Sequence, residues 1–314
     1  MKTENSASAR EVNKFKKLVK EVIKHHFGTT AKRIEHKSAG LTNFVFAFTY
    51  GGEDFIIRIS PDPSRINLFI KEQWAEAAAR KAGVPAPEIL EVGSEIIPFP
   101  YMVSRTVSGS DAIHHPKQAD ILREMGRIAA LINTIPTSGF GQTFDWSSNQ
   151  LSLNKTYKDY LDKEYCFDSK LDILEKHRAI SSEQRKRLEK LFGEAAKIRT
   201  KPVLNHGDIR LKNVIADKDG KINAIIDWEG CTSNIAPQWE LSIALHDLGI
   251  DGMQHFLAGY GIKDAKLKEM MPLIKAFNVT NYAAAIEEIV KSKDKAMLEQ
   301  YRTRLSGALD LYSL

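Results

Sequence analysis

A short stretch of polar residues has the types and the spacing that phosphoryl transfer requires. His206, Asp208 and Asn213 lie in one predicted loop, and Asp227 follows an apolar run. A carboxylate such as Asp208 can orient an attacking hydroxyl group and accept its proton. Mg²⁺ usually takes one or two carboxylates and keeps several waters, so one Asp and one Asn suffice as protein ligands. These residues indicate a kinase-like reaction.

The spacing makes this indication specific. Asn213 follows Asp208 by five residues, and Asp227 follows Asn213 by fourteen. The residues between Asn213 and Asp227 predict a small β-hairpin, with strands at 214–216 and 222–226 and a turn at 217–220. A His, an Asp and an Asn at this spacing are weak evidence alone. Coupled to an Asp that ends a strand, they predict phosphoryl transfer.

Arg210 stands two residues after Asp208. A cation there would stabilise the negative charge that spreads over the oxygens of the transferred phosphate. The alternative, that Arg210 or Lys212 is a solvated loop charge, stays open.

Hydrophobic periodicity divides the elements that must position these residues into a β-rich part and a helical part. An amphipathic helix with a basic outer face is predicted first, at 7–26. The β-rich part has a hairpin around Gly51-Gly52. Its predicted strands are near 33–37 and at 44–48, 55–59, 88–92 and 101–104, with a helix at 66–82. Later helices are predicted at 121–132, 157–161 and 182–198 and over most of the chain beyond Pro237.

This order predicts an α+β fold of two lobes with a ligand cleft between them. We expect a small N-terminal antiparallel β lobe at residues 1–104, which includes the first helix. A larger, mainly helical lobe with the acceptor site is expected at residues 105–314.

The stretch at 204–229 resembles the catalytic loop and metal-binding Asp of the aminoglycoside phosphotransferase and choline kinase family, whose fold is that of protein kinases. Protein kinases have H-R-D-x-x-x-x-N followed by D-F-G. Here Gly207 replaces the Arg, and Asp227-Trp228-Glu229 replaces D-F-G, as in the small-molecule branch. Further segments, including Phe46-Ala47-Phe48 and Trp239-Glu240-Leu241, are similar to hygromycin B phosphotransferases.

The resemblance implies roles for the loop residues. Asp208 would be the catalytic base, His206 would support the loop's geometry, and Asn213 with Asp227 would hold Mg²⁺. Glu240 falls where many relatives have an Asp that braces the catalytic loop, and we expect the Glu to do the same.

The resemblance also implies a nucleotide site in the β lobe, for ATP or alternatively GTP. A loop with Gly40, Thr42 and Asn43 would fold over the phosphates. Arg58 would reach the α- and β-phosphates, with Glu72 as its partner and Glu76 as the alternative one helical turn later. The two acids could also be plain surface charges. The hinge with Ser104 and Thr106 would bind adenine through its backbone.

The acceptor is the open question. A polycationic aminoglycoside requires several carboxylates. The helical region offers acidic candidates and aromatic faces for stacking, but lysines are interspersed, as on a solvated helix face. An aminoglycoside-like acceptor therefore competes with an amino alcohol, a sugar or another metabolite. The acidic and aromatic candidates are Asp247, Asp251, Glu287, Glu288, Trp239, Phe256 and Tyr282.

Two other classes fit less well. A protein kinase needs a longer segment after Asp227 to dock a peptide, and a non-catalytic nucleotide-binding module typically loses one of the three residues Asp208, Asn213 and Asp227.

A net charge of +5 is too small to suggest nucleic-acid binding. No signal peptide or apolar run of membrane-spanning length is found. With only two cysteines, we expect a cytoplasmic protein without membrane or nucleic-acid partners, a monomer or weak homodimer.

Overall fold

The computed structural model describes residues 8–31, 33–37, 43–142, 154–246 and 248–310. The strands are β1 (Ile34–Lys37), β2 (Phe44–Tyr50), β3 (Glu53–Ile59), β4 (Ile89–Gly93), β5 (Tyr101–Arg105), β6 (Ser110–Asp111), β7 (Val203–Asn205), β8 (Val214–Ala216), β9 (Ile222–Ile225) and β10 (Thr232–Asn234). The helices are α1 (Ala9–Phe27), α2 (Ile66–Lys81), α3 (Gln118–Ile132), α4 (Tyr157–Tyr160), α5 (Phe167–Lys176), α6 (Ser182–Ala195), α7 (Gln238–Ala244), α8 (Ile250–Tyr260), α9 (Asp264–Asn281), α10 (Ala283–Lys291) and α11 (Lys295–Asp310). The predicted α+β class is confirmed.

The chain forms two compact units. The first comprises Met1–His115 together with Lys212–Glu229, and the second comprises Pro116–Leu211 together with Gly230–Leu314. The hairpin of β8 and β9 therefore belongs to the first unit, although the chain reaches it from the second. The predicted division into functional lobes at residues 104 and 105 stays a prediction.

The first unit is built on an antiparallel sheet with the strand order β1-β2-β3-β5-β4. The predicted hairpin is confirmed: β2 pairs with β3, with Phe46 opposite Ile57. Gly51 and Gly52 form its turn with φ angles of 61° and 85°. Two successive positive φ angles match the right-handed twist of the strands, and glycine adopts them without steric cost.

Helix α1 covers one face of this sheet. Ser8 caps its first turn by accepting a hydrogen bond from the backbone N–H of Glu11, whose carboxylate bonds back to the N–H of Ser8. Phe15, Val19 and Ile23 are buried at helical spacing, and the ring of Phe15 stacks on Phe44 with centroids 3.8 Å apart. The predicted amphipathic helix is confirmed.

The second unit is mainly helical. Its core contains an aromatic cluster in which Trp239 packs edge-on against Tyr165 and Phe277. Helices α3 and α8 approach closely at two glycines. A Cβ added at Gly126 would lie 2.0 Å from the carbonyl oxygen of Phe256, and a Cβ added at Gly259 would lie 1.7 Å from that of Arg123. Small residues at such a crossing let two helix backbones come together.

None of the described helices is both long enough and apolar enough to cross a membrane.

Candidate active site

The loop after β7 is held by one buried carboxylate. The backbone N–H of His206 donates to Oε2 of Glu240 at 2.6 Å, and the N–H of Gly207 donates to Oε1 at 3.3 Å. Burial raises the pKa of Glu240 to about 7, and the two N–H groups oppose that rise. The expectation that Glu240 braces this loop is confirmed.

The side chain of His206 also stabilises this loop. Its side chain is buried, and its Nδ1 accepts a hydrogen bond of 3.2 Å from the backbone N–H of Asp208. This contact requires a lone pair on Nδ1, so it is compatible with the neutral ring protonated at Nε2. The histidine thus fixes the backbone that presents Asp208, which fits its expected supporting role.

The backbone conformation and the surroundings of Gly207 explain why this motif has no arginine at that position. Its φ angle is +75°, and a Cβ added there would lie only 2.1 Å from the carbonyl oxygen of Gly230. Both the left-handed backbone and the close approach exclude a side chain.

Asp208 and Arg210 lie side by side. Nε of Arg210 is 2.8 Å from Oδ1 of Asp208, and their side chains are 35% and 23% exposed, respectively. Arg210 is therefore in contact with the acid expected to act as base, rather than being a remote loop charge.

The hairpin of β8 and β9 brings the two predicted metal ligands to one end. Val214 pairs with Ile225, and the N–H of Ile226 donates to the carbonyl oxygen of Asn213 at 2.9 Å. Asn213 precedes the first strand and Asp227 follows the second, so the antiparallel register aligns them. Asp227 has a φ angle of +66°, a conformation that Asp tolerates better than most residues.

Arg58 on β3 pairs with Glu72 on α2. Nη2 of Arg58 is 2.5 Å from Oε1 of Glu72, and the guanidinium lies over the ring of Phe69 at 5.2 Å. Burial raises the pKa of Glu72, the Arg58 guanidinium opposes that rise, and the negative charge of Asp227 adds to it. Asp227 thus acts electrostatically on the Arg58–Glu72 pair from within the same unit.

Glu76 is not the partner of Arg58, although it is also buried. Burial, reinforced by the charge of Glu72, raises the pKa of Glu76 to about 9. The carboxyl group is therefore protonated at neutral pH. The alternative that Glu72 and Glu76 are surface charges is wrong.

Several buried polar atoms near this pair have no hydrogen-bond partner in the described part of the chain. They include Nε of Arg58, Oε2 of Glu72 and Oε2 of Glu76. Oδ1 of Asn43, just before β2, is also buried without a partner. Buried polar atoms rarely stay unpaired, so these positions fit a polar ligand such as a nucleotide phosphate with its cation. Gly40 and Thr42, predicted for the same loop as Asn43, lie outside the described residues.

The predicted adenine hinge is the end of β5. Ser104 pairs with Ile56 on one side and Ile89 on the other. The N–H of Thr106 donates to the carbonyl oxygen of Asp54 at 2.8 Å. Because this N–H is already bonded, an adenine contact at the Thr106 backbone would use the carbonyl oxygen of Thr106.

Sequence reasoning missed one ion pair. Arg65, at the start of α2, binds Glu229, two residues after Asp227. This pair ties the D-F-G-like segment to the helix that carries Glu72. The one sequence feature that could have indicated this ion pair was the position of Glu229 within Asp227-Trp228-Glu229.

The expected stacking faces for the acceptor need correction. Trp239, Phe256 and Tyr282 are all buried in the second unit, so the prediction that they present an exposed face to a ligand is wrong. Their rings pack in the apolar interior, which periodicity alone does not distinguish from a binding surface. Asp247, one of the predicted acids, lies outside the described residues.

Comparison with known proteins gives the family. Residues 34–273 match the APH family, described as the phosphotransferase enzyme family. Hygromycin-B 4-O-kinase from Escherichia coli is 25% identical over 202 residues, which are 61% of this chain and 55% of the relative. This match thus spans about half the length of the curated relative.

Solved structures share the fold. Aminoglycoside phosphotransferase APH(4)-Ia, as a thermostable mutant in a ternary complex with AMP-PNP and hygromycin B, has a TM-score of 0.69 at 18% identity, covering 93% of this chain and 97% of that one. Macrolide 2'-phosphotransferase MphH from Brachybacterium faecium has a TM-score of 0.60 at 15% identity, covering 93% and 98%. Since the family match extends over most of the chain, the protein belongs to the APH phosphotransferase enzyme family.

Proposed function

We propose that this protein is an ATP-dependent O-phosphotransferase that moves the γ-phosphate to a hydroxyl group of a small molecule. One arrangement carries the proposal: the hairpin register aligns Asn213 with Asp227, and the charge of Asp227 acts on the ion pair between the partly exposed Arg58 and the buried Glu72. Phosphoryl transfer requires ligands for a metal ion next to a cation that can bind phosphates.

Asp208 supplies the base in this proposal. Its carboxylate orients the acceptor hydroxyl and takes its proton, while His206 and Glu240 hold the loop through its backbone. Arg210, already 2.8 Å from Asp208, stabilises charge on the transferred phosphate. Asn213 and Asp227 would hold Mg²⁺, which when bound neutralises charge on the phosphate oxygens.

The nucleotide is held by the first unit. In this proposal the paired guanidinium of Arg58 binds the α- and β-phosphates. Gly40, Thr42 and Asn43 are further proposed phosphate contacts. Ser104 and Thr106 contribute backbone atoms to the base. ATP is the proposed donor and GTP the alternative.

An aminoglycoside-like molecule is the first acceptor to test. The E. coli relative is a hygromycin-B 4-O-kinase by name, and APH(4)-Ia was crystallised with hygromycin B. Kinases of an amino alcohol, a sugar or another metabolite remain the alternative, because fold does not specify substrate.

The experiment is an acceptor screen for Mg²⁺-dependent release of ADP, over aminoglycosides, macrolides, amino alcohols and sugars, with ATP and GTP compared. Asp208→Ala should reduce turnover by at least about a hundredfold, because general-base catalysis contributes on this order. Asp120→Ala, an exposed acid at the start of α3, should retain wild-type turnover.

The screen also tests the second candidate, a non-catalytic nucleotide-binding module. If wild type and Asp208→Ala bind ATP but release ADP equally slowly with every acceptor, the kinase proposal fails and the binding module stands. Preferential phosphorylation of a protein substrate such as casein would instead favour a protein kinase.

A further inference from the structure

Arg65 lies at the start of α2, seven residues before Glu72. Seven residues make about two helical turns, so Arg65 lies on the side of the helix that carries Glu72. The backbone N–H of Arg65 donates to the carbonyl oxygen of Asp62 at 3.2 Å. The carboxylate of Asp62 in turn accepts from the N–H of Ser64 at 2.9 Å. This turn fixes the backbone from which the Arg65 side chain extends.

The guanidinium of Arg65 binds the carboxylate of Glu229, and the two side chains are 17% and 36% exposed, respectively. Glu229 follows Trp228, a buried residue whose indole N–H donates to the carbonyl oxygen of Ile225 at 2.9 Å. Local structure therefore places both ends of the ion pair. Because both side chains are partly buried, salt screens this pair less than it screens a pair on the open surface.

Glu229 lies near the groups that are proposed to bind the nucleotide. It comes two residues after Asp227, one of the proposed metal ligands, and its partner Arg65 shares α2 with Glu72. Burial is the main cause of the raised pKa of Glu72, and the negative charges of Asp227 and Glu229 add to it. An unpaired carboxylate at Glu229 would therefore also repel the phosphates that Arg58 is proposed to bind.

We propose that Arg65 balances charge in the nucleotide site: by binding Glu229, it offsets a negative charge that would otherwise repel the phosphates of ATP. Arg65 acts through Glu229 and is a positioning residue, not a catalytic one. The inference rests on the proposed function, because it requires nucleotide phosphates at Arg58. It adds to that function a second arginine on which the affinity for phosphates depends.

The test is calorimetric titration of the full chain with AMP-PNP and Mg²⁺, which measures nucleotide binding without turnover. Arg65→Ala should weaken AMP-PNP binding about tenfold, because one unbalanced charge at a partly buried position acts on the phosphates by about this factor. Adding Glu229→Gln to Arg65→Ala should restore the affinity to within about threefold of the wild type. If the double variant binds as weakly as Arg65→Ala, the pair is only a mechanical tie and the charge-balancing role fails.

The number of phosphates on the nucleotide gives a second readout, which a general loss of structure would not produce. The loss of affinity on Arg65→Ala should decrease from AMP-PNP to ADP to AMP, because repulsion by Glu229 grows with the charge of the ligand. An equal loss for AMP-PNP and AMP would contradict the proposal.

Two matched variants test the role of charge at this position. Arg65→Lys keeps the charge and should bind AMP-PNP within about threefold of the wild type. Arg80→Ala removes an exposed arginine of the same helix, whose guanidinium is 3.5 Å from the carboxylate of Glu88, and should bind AMP-PNP as the wild type does. Thermal melting verifies that every variant folds. Equal losses in Arg80→Ala and Arg65→Ala would show that the effect is not specific to Glu229, and the proposal would fail.

Failure of this inference is separable from failure of the kinase proposal. If the wild type binds AMP-PNP and transfers phosphate while Arg65→Ala binds equally tightly, only the role of Arg65 is wrong. If Arg65→Ala is rescued by Glu229→Gln but no acceptor supports turnover, the role of Arg65 stands in a nucleotide-binding module. If the wild type does not bind AMP-PNP, both proposals fail.

Discussion

The catalytic loop is shaped mainly through its backbone. Two N–H groups bind Glu240, a third binds His206, and Gly207 adopts a conformation that other residues rarely reach. The backbone of the loop thereby places the side chain of Asp208 next to Arg210. The residue types in this loop are therefore set by geometry as much as by reaction chemistry.

Arg210→Ala should lower kcat by about 100- to 1000-fold and raise the KM for ATP much less. Its guanidinium would act mainly on charge that develops during transfer, and losing one such donor costs on this order. Steady-state kinetics with saturating acceptor measure both constants. Lys212→Ala, an exposed cation two residues later, is the control. An unchanged kcat in Arg210→Ala would contradict the role.

Helix packing in the second unit depends on two glycines. Helices α3 and α8 approach so closely at Gly126 and Gly259 that an added Cβ would overlap a backbone carbonyl of the facing helix. Backbone atoms cannot move aside as a side chain can, so the helices themselves would have to separate.

Gly259→Ala should therefore destabilise the protein by about 1–3 kcal/mol, the usual cost of overpacking. Gly193→Ala is the matched control, because it lies in α6 with no atom within 4 Å of the added Cβ. That substitution should stabilise by about 0.5–1 kcal/mol, since alanine favours helix. Chemical denaturation measures both, and equal stabilities would contradict the close approach.

Among the strands and helices, periodicity and turn chemistry predicted most elements to within a few residues. Strands β2 and β3 were predictable because alternation and the Gly51-Gly52 turn are local signals. The assignment of β8 and β9 to the first unit was not predictable, because it depends on pairing with β6 and on the hydrogen bond from Ile225 N–H to the carbonyl oxygen of Pro85.

The pH dependence of unfolding is a property of the whole molecule to which Glu76 contributes. Its pKa is about 9 in the folded state against 4.5 ordinarily. Between these values the folded state binds one more proton than the unfolded state, so this group makes the free energy of unfolding fall as pH rises. The fall is at most about 1.4 kcal/mol per pH unit.

Glu76→Gln should remove this contribution. Denaturation between pH 6 and about pH 8.5, within the window set by that linkage, should show a smaller loss of stability in the variant than in the wild type. Glu95→Gln, at an exposed position of the same unit, should follow the wild type. Parallel pH profiles for Glu76→Gln and wild type would show that Glu76 is ionised in the folded protein.

The sequence by itself determined the fold class, the hairpins, the family and the candidate loop from His206 to Asp227. It could do so because periodicity, turns and motif spacing are properties of neighbouring residues. Only the tertiary structure decided between Glu72 and Glu76 as the partner of Arg58. It alone showed that Glu76 is buried and that Gly207 faces the carbonyl of Gly230. These features depend on distances through space between segments that are far apart in the chain, and no local pattern encodes them.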